Sequence, residues 1–364
     1  MKKKYTKVVG LIDADLLDNG TRHPNLALMK ISGFLKAEGT GTSLLLDYNE
    51  LNDYTEVWMS KVFTTTKIPA GILERQNIKY GGTGFFLEKA PNLPDKIEHH
   101  MPDYHLYDKF IEKEVDRGIK ENRYLDYKHY SIGFTTRGCF RKCKFCVNKK
   151  YNKVIQHSDV REFLDKSRKY IYLWDDNIFG YEKWREIFDR LNATEKRFQF
   201  RQGLDIRLLT KEKAEVLSKS NYIGDYIFAF DHLKDKDLII NKLKLWRPHT
   251  KKTTKLYILC AYESQDLHDI IGVFKRLKIL MQFRCIPYIM RFNTYKSTEF
   301  EGMYINLARW CNQPNIFKKM SFAEFCEANG SDSSTMRYFN SFKKKYPSIA
   351  KEYFGLKFEK EAKY

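Results

Sequence analysis

No apolar run in this chain approaches the roughly 20 residues needed to span a bilayer, which argues against a membrane helix. No secretory leader is expected either, because the basic start Met1-Lys2-Lys3-Lys4 runs into an apolar stretch broken at Asp13 and Asp15. The seven cysteines are an odd number. Without a leader they are expected to be free thiols of a reducing cytoplasm, available for metal and not for a disulfide framework. Repeats of fixed period and low-complexity segments are absent. Acidic side chains are scarce, with 46 Asp and Glu against 65 Lys and Arg and a formal charge of +19. Such a field attracts polyanions, nucleic acid above all. Lysines spread over the whole length equally describe ordinary solvated helix faces, so composition leaves both readings open.

What is present is an alternation of strand and helix patterns. A chain of 364 residues can bury one large core or two medium ones. Short β-branched or apolar runs at 7–12, 43–46, 57–64 and 78–80, with a helical pattern over 25–38, predict a small parallel sheet. A second series predicts strands at 131–135, 170–174, 198–202, 225–230, 255–261 and 283–289, with helices over 181–192, 211–219, 238–245 and 267–280. Six strands so connected describe a parallel α/β layout, an open sheet or a partial barrel, whose catalytic groups gather at the strands' C-terminal ends. Polar residues stand at those ends: Asp175, Asp176 and Asn177; Asp205 and Arg207; Asp231; Glu263; Arg291. Beyond about residue 293 the pattern turns to short helices and a charged tail over 357–364.

Three cysteines fall within eight residues in Cys139-Phe140-Arg141-Lys142-Cys143-Lys144-Phe145-Cys146, just after a predicted strand. Three thiolates on one tight loop suit three irons of a cubane, whereas a structural zinc site wants four closed ligands. A zinc site completed by distant Cys311 or His157 is the competing reading. Arg137, Arg141, Lys142 and Lys144 surround the thiols and are expected to favour the thiolate form. Cys260 and Cys285 lie in apolar strands and read as core.

This CxxxCxxC loop, with Phe145 directly before its last cysteine, resembles the radical S-adenosylmethionine superfamily over roughly 130–293. The resemblance implies a [4Fe-4S] cluster on Cys139, Cys143 and Cys146 whose open iron is chelated by S-adenosylmethionine. It further implies one-electron cleavage to methionine and a 5′-deoxyadenosyl radical, with an electron donor of the flavodoxin or ferredoxin type. Phe145, Asp175, Asn177, Arg207, Glu263 and Arg291 are then the expected cofactor contacts, and Asp176, Asp205 and Asp231 the catalytic candidates. The family's usual Gly-Gly-Glu after the second strand is replaced by Trp174-Asp175-Asp176-Asn177. Methylation, methylthiolation, rearrangement and hydrogen abstraction all fall within the resemblance.

The first unit resembles the cobalamin-binding-type domain that precedes many enzymes of this branch, through Gly10 to Asp13, Ser60 to Thr64, and Gly81-Gly82-Thr83-Gly84. The Asp-x-His-x-x-Gly motif that ligates cobalamin is absent, and His23 reads as a solvated loop histidine. Tight cobalamin binding is therefore not expected, though not excluded. The expected architecture is α/β: a Rossmann-like domain over 1–102, a connector over 103–129, a partial (β/α)6 TIM-type barrel over 130–293 and a helical extension over 294–364. The substrate is expected to be an anionic small molecule or a nucleic acid. The alternative is a non-catalytic iron-sulfur protein that binds nucleic acid, which would have no need of converging acidic strand ends.

Overall fold

The computed structural model describes residues 7–358, and the chain divides into two compact units, Met1–Gln199 and Phe200–Tyr364. The first unit opens with strands β1 (Val8–Asp13), β2 (Gly41–Leu44), β3 (Val57–Ser60) and β4 (Ile78–Gly81). They form a parallel sheet in the order β2-β1-β3-β4. After Val8 every residue of β1 is buried, as expected of an inner parallel strand covered on both faces. The helix Leu26–Ala37 follows, capped by Asn25, whose Oδ1 accepts from Leu28 N at 3.2 Å. Leu28, Met29 and Ile31 of this helix share a core with Tyr104, Tyr107, Tyr124 and Tyr127. The connector is thus packed against the first sheet, and buried Arg168 fastens it further by donating to the carbonyls of Tyr104 and Tyr127.

The same unit continues with β5 (Tyr130–Gly133), β6 (Thr136–Arg137), β7 (Ile155–Gln156), β8 (Tyr170–Leu173) and, at its boundary, β9 (Arg197–Phe200). The larger strands form a sheet in the order β5-β8-β9, with β5 and β8 parallel. The antiparallel pair β6-β7 closes the base of the cysteine loop. Sequence periodicity does not reveal it, because two-residue strands have no pattern to read.

The second unit holds β10 (Tyr226–Ala229), β11 (Thr254–Cys260) and β12 (Ile286–Arg291), parallel and in that order. The six expected strands are therefore all present, as two three-stranded sheets. Strand β12 starts three residues later than its apolar run suggests. The preceding helix runs on through Gln282, and Arg284 at φ 53° then turns the chain. The helices after residue 300 pack onto that helix, with Phe274 5.4 Å from Tyr353 and 5.8 Å from Phe322. The extension is anchored as far as Phe358, 5.9 Å from Phe317. The remainder of the charged tail, like the basic start, lies outside the described residues. No described helix is long and apolar enough to cross a membrane.

Candidate functional site

The cysteine loop is fixed at its entrance by three consecutive residues after β8. Asp175 is buried, and its carboxylate accepts from Thr135 N (3.1 Å), Thr135 Oγ1 (2.6 Å), Thr136 N (2.6 Å) and Thr136 Oγ1 (2.7 Å). Burial raises its pKa against those four hydrogen bonds. Asp176 Oδ2 accepts from Gly138 N at 2.6 Å. Gly138 has φ +94°, and a Cβ there would stand 2.4 Å from Lys153 O and 2.6 Å from Tyr151 Cβ, so both backbone and space demand glycine.

Asn177 completes the series. Its Nδ2 donates to Cys139 Sγ at 3.3 Å, while its Oδ1 is buried and accepts no hydrogen bond among the described residues. Such an orphan is rare in a folded protein and has room for a donor from water or a ligand. Backbone N–H groups of Arg141 and Asn148 point at Cys139 Sγ and Cys146 Sγ, each at 3.4 Å. N–H groups aimed at sulfur are among the features that set the potential of iron-sulfur sites.

None of the three loop cysteines is in a disulfide, and all three are half-buried, as is Phe145. Among the described residues no three His, Cys, Asp or Glu side chains converge on a point that would suit one metal ion. In a cubane each thiolate binds its own iron, so the sulfurs stand farther apart than around a single ion. Of the distant ligands weighed for zinc, Cys311 is wholly buried in the second unit and His157 faces Glu98 at 3.3 Å.

The expectation that basic neighbours favour the thiolate is corrected at Cys146. Burial pushes this thiol up, the charges of Asp176 and Cys139 add to it, and Lys149 and Asn148 N–H only partly oppose them. Part of the reason is that the lysines look elsewhere. Lys142 Nζ donates to Lys149 O at 2.8 Å, and Lys150 Nζ to Asn92 Oδ1 at 2.7 Å. Cys260, Cys285, Cys311 and Cys326 are buried in the second unit, where burial pushes Cys260, Cys285 and Cys326 up to about 12.

The first sheet also ends in polar residues, and these satisfy one another. Asp15 accepts from Val62 N (2.7 Å), Phe63 N (3.2 Å) and Thr66 Oγ1 (2.5 Å). Asp13 accepts from Tyr107 OH (2.8 Å) and Leu16 N (3.2 Å). Burial, with Asp15 adding charge, raises Asp13 to about 7 against these bonds. Asn25 Nδ2 donates to Ser60 Oγ at 2.9 Å. The glycine cluster serves the chain itself: a Cβ on Gly82 would stand 2.2 Å from Lys61 O, and Gly84 N donates to that carbonyl at 2.9 Å. His23 is not a free loop histidine, since it pairs with Asp126 at 2.7 Å and lies edge-on to Trp174.

In the second unit the strand-end residues form separate groups. Asp205 caps a short helix and grips Arg207, Nε to Oδ1 at 2.8 Å, while Asp235 holds the same guanidinium at 3.2 Å. Burial opposes the charge on Arg207, but the two carboxylates outweigh it and raise its pKa. Arg207, expected as a cofactor contact, and Asp205, expected as a catalytic residue, thus stand together in an ion triad with Asp235. Asp231, His232 and Glu263 line one small cavity with Tyr262 and Asp269. Glu263 is exposed and meets His232 at 3.2 Å, and burial raises Asp231 against the nearby charge of Arg276. Arg291 is exposed and lies over the Tyr295 ring at 4.6 Å. Ala261 takes φ +60° after β11, where Asp269 accepts from its N–H at 2.7 Å.

No protein-family profile and no curated protein matches the chain. Among solved structures it is similar to TsrM of Kitasatospora setae, a radical S-adenosylmethionine methyltransferase solved with tryptophan substrate and an S-adenosylmethionine analogue. The TM-score is 0.51 at 14% identity, covering 83% of this chain and 77% of that one. SuiB of Streptococcus suis, bound to its precursor peptide SuiA, aligns more weakly, with TM-score 0.33 and 12% identity over 71% of this chain and 65% of that one. The chain thus has a mixed α/β fold with parallel sheets, shared with a radical S-adenosylmethionine methyltransferase.

Proposed function

We propose that this chain is a radical S-adenosylmethionine enzyme whose [4Fe-4S] cluster is held by Cys139, Cys143 and Cys146. The observation that carries this reading is a three-thiol loop paired, at the end of β8, with the buried and unpartnered Oδ1 of Asn177. In this reading that oxygen receives the methionyl ammonium of S-adenosylmethionine, while the Asn177 amide N–H steadies Cys139. Asp175 and Asp176 act on the loop itself, holding Thr135, Thr136 and Gly138 in place. A [4Fe-4S] cluster held there and reduced by a flavodoxin or ferredoxin would supply the electron for reductive cleavage of S-adenosylmethionine to methionine and a 5′-deoxyadenosyl radical. Phe145 packs in the loop beside the last thiol, and exclusion of water from such sites protects reactive species.

In the second unit, Asp231 with His232 and Glu263 is the proposed substrate-facing group, and Arg291 offers an exposed cation. The proposed substrate is anionic, a small molecule or a nucleic acid, in keeping with exposed Lys144 and Lys149 beside the thiols. The six larger strands are proposed to build a partial (β/α)6 barrel and the first sheet a Rossmann-like domain that binds no cobalamin tightly, because its strand ends are filled by Asp13, Asp15 and Ser60.

The test is anaerobic reconstitution, reduction with dithionite and assay for 5′-deoxyadenosine. About four irons per chain and turnover of S-adenosylmethionine are expected. One zinc and no iron would overturn the reading. Iron-loaded protein that binds tRNA with a steep salt dependence yet never cleaves S-adenosylmethionine would support the binding-module alternative instead.

A further inference from the structure

The first unit contains a partly buried charge cluster that the site described above does not use. Glu98, at the end of the short helix Asp95–Glu98, is its hub. Its Oε1 lies 2.8 Å from Lys30 Nζ, 3.3 Å from His157 Nε2 and 3.7 Å from Arg137 Nη2. Lys30 comes from the helix Leu26–Ala37 with a side chain only 5% exposed, so its charge has almost no water to lean on. Burial lowers its pKa, and Glu98 opposes that shift. Burial also acts against ionised Glu98, yet His157, Lys30 and Arg137 together hold it down at about 2. A second carboxylate, Glu162, meets His99 at 2.7 Å, and the His99 and His157 rings stack at 5.1 Å. The groups facing the hub are therefore Lys30, Arg137 and His157, with His99 and Glu162 behind them.

The two partners from the later segment, Arg137 and His157, flank the cysteine loop. Arg137 ends β6, directly before Gly138-Cys139, and its guanidinium lies 3.3 Å above the Phe134 ring. His157 follows β7, and its N–H donates to Thr135 O at 2.9 Å. One carboxylate from the N-terminal region thus grips both strands that close the loop. Salt bridges of this burial are costly to form and costly to break on one side, and they are best attested as devices that fix register.

We propose that Glu98 and Lys30 are positioning residues for the cysteine loop. Through Arg137 and His157 they set the loop's placement and balance the charge beside it, and this is what the N-terminal region contributes to the iron site. The inference rests on the cluster reading of Cys139, Cys143 and Cys146.

The experiment compares full-length wild type with Glu98→Gln, Lys30→Met, the double variant Lys30→Met/Glu98→Gln, and Arg137→Gln. The last removes a cation from a partly exposed position and keeps the test alive if a buried variant does not fold. The readouts are iron content after reconstitution and the reduction potential of the cluster, followed by its spin signal during a redox titration. Net charge near a cluster sets its potential. Removing the carboxylate should therefore move the potential up, removing either cation should move it down, and the double variant should return close to wild type. A merely structural role would shift all single variants in one direction or lower iron content alone. Iron-loaded variants whose potentials do not move, or move together, would overturn the inference while leaving the cluster reading intact. Wild type that takes up no iron would overturn the cluster reading, and this inference with it.

Discussion

Two strand ends in the first unit invite comparison, because both gather acidic residues, amide side chains and glycines after a parallel strand. At the end of β1 and β3, Asp15 takes three donors from the chain, Asp13 takes two, and Asn25 and Ser60 satisfy each other. At the end of β8, Asp175 and Asp176 are likewise consumed by the loop they brace, but Asn177 Oδ1 is left over beside the cysteine loop. Strand order reverses between β1 and β3, the point where open α/β sheets commonly bind ligands. Here that point is filled by the protein's own carboxylates. Topology names where a site can be; the hydrogen-bond ledger tells which of two such places still has something to offer.

The strongest way to break the comparison is to remove its thiols. Cys143→Ala should abolish the bound iron and the 5′-deoxyadenosine product, whereas Cys260→Ala, in the core of the second unit, should leave iron per chain unchanged. Iron retained by Cys143→Ala would move the site elsewhere.

The next test asks whether the first strand end is as closed as it looks. Asp13 holds its proton to about pH 7 in the fold and titrates near 4 when unfolded. Its pKa is raised by folding, so there is no penalty below about pH 4, where both states are protonated. The penalty grows between the two values and is complete above the folded one. Asp13→Asn should match wild type at pH 4 and be the more stable protein at pH 8, by at most about 4 kcal/mol, read from urea midpoints. Equal stability of the two proteins at both pH values would mean that water reaches this carboxylate.

The smallest expected effect is the most local. Asn177→Ala should weaken S-adenosylmethionine binding by about tenfold, the worth of one hydrogen bond to a charged group, without changing iron content. Unchanged affinity in equilibrium binding to the reconstituted protein would remove Asn177 from the ligand's contacts.

The sequence announced these two places unequally, for a physical reason. The cysteine loop is a local object, three side chains within eight residues, and its spacing can be read directly. The strands were legible too, since apolar runs and their helical intervals are local. Which of Asp175, Asp176 and Asn177 keeps a free atom was not, because side chains at a strand end are turned by what they meet. The donors that use up Asp15 arrive from Val62, Phe63 and Thr66, and the hydroxyl on Asp13 comes from Tyr107, far along the chain. The glycine cluster read as a ligand cradle because sequence cannot tell a cofactor from Lys61 as the neighbour that needs the room. Arg207 was readable only as an open choice between ligand and ion pair, and its second carboxylate, Asp235, comes from 28 residues along the chain, where no local pattern shows it.

Gly138 carries a consequence for how this loop can drift under mutation. Its amide is held by Asp176, its φ is positive, and the carbonyl of Lys153 blocks the space a side chain would fill. The exposed positions between the cysteines, Phe140, Lys142 and Lys144, face no such limits. In a saturation library scored by iron retention, position 138 should tolerate glycine alone and so behave like a fourth invariant beside the three cysteines, although it touches no metal. The alphabet of permitted residues would narrow at four places in the loop and stay wide at the exposed ones. The hinge that aims the ligands would then be as unforgiving of replacement as the ligands themselves.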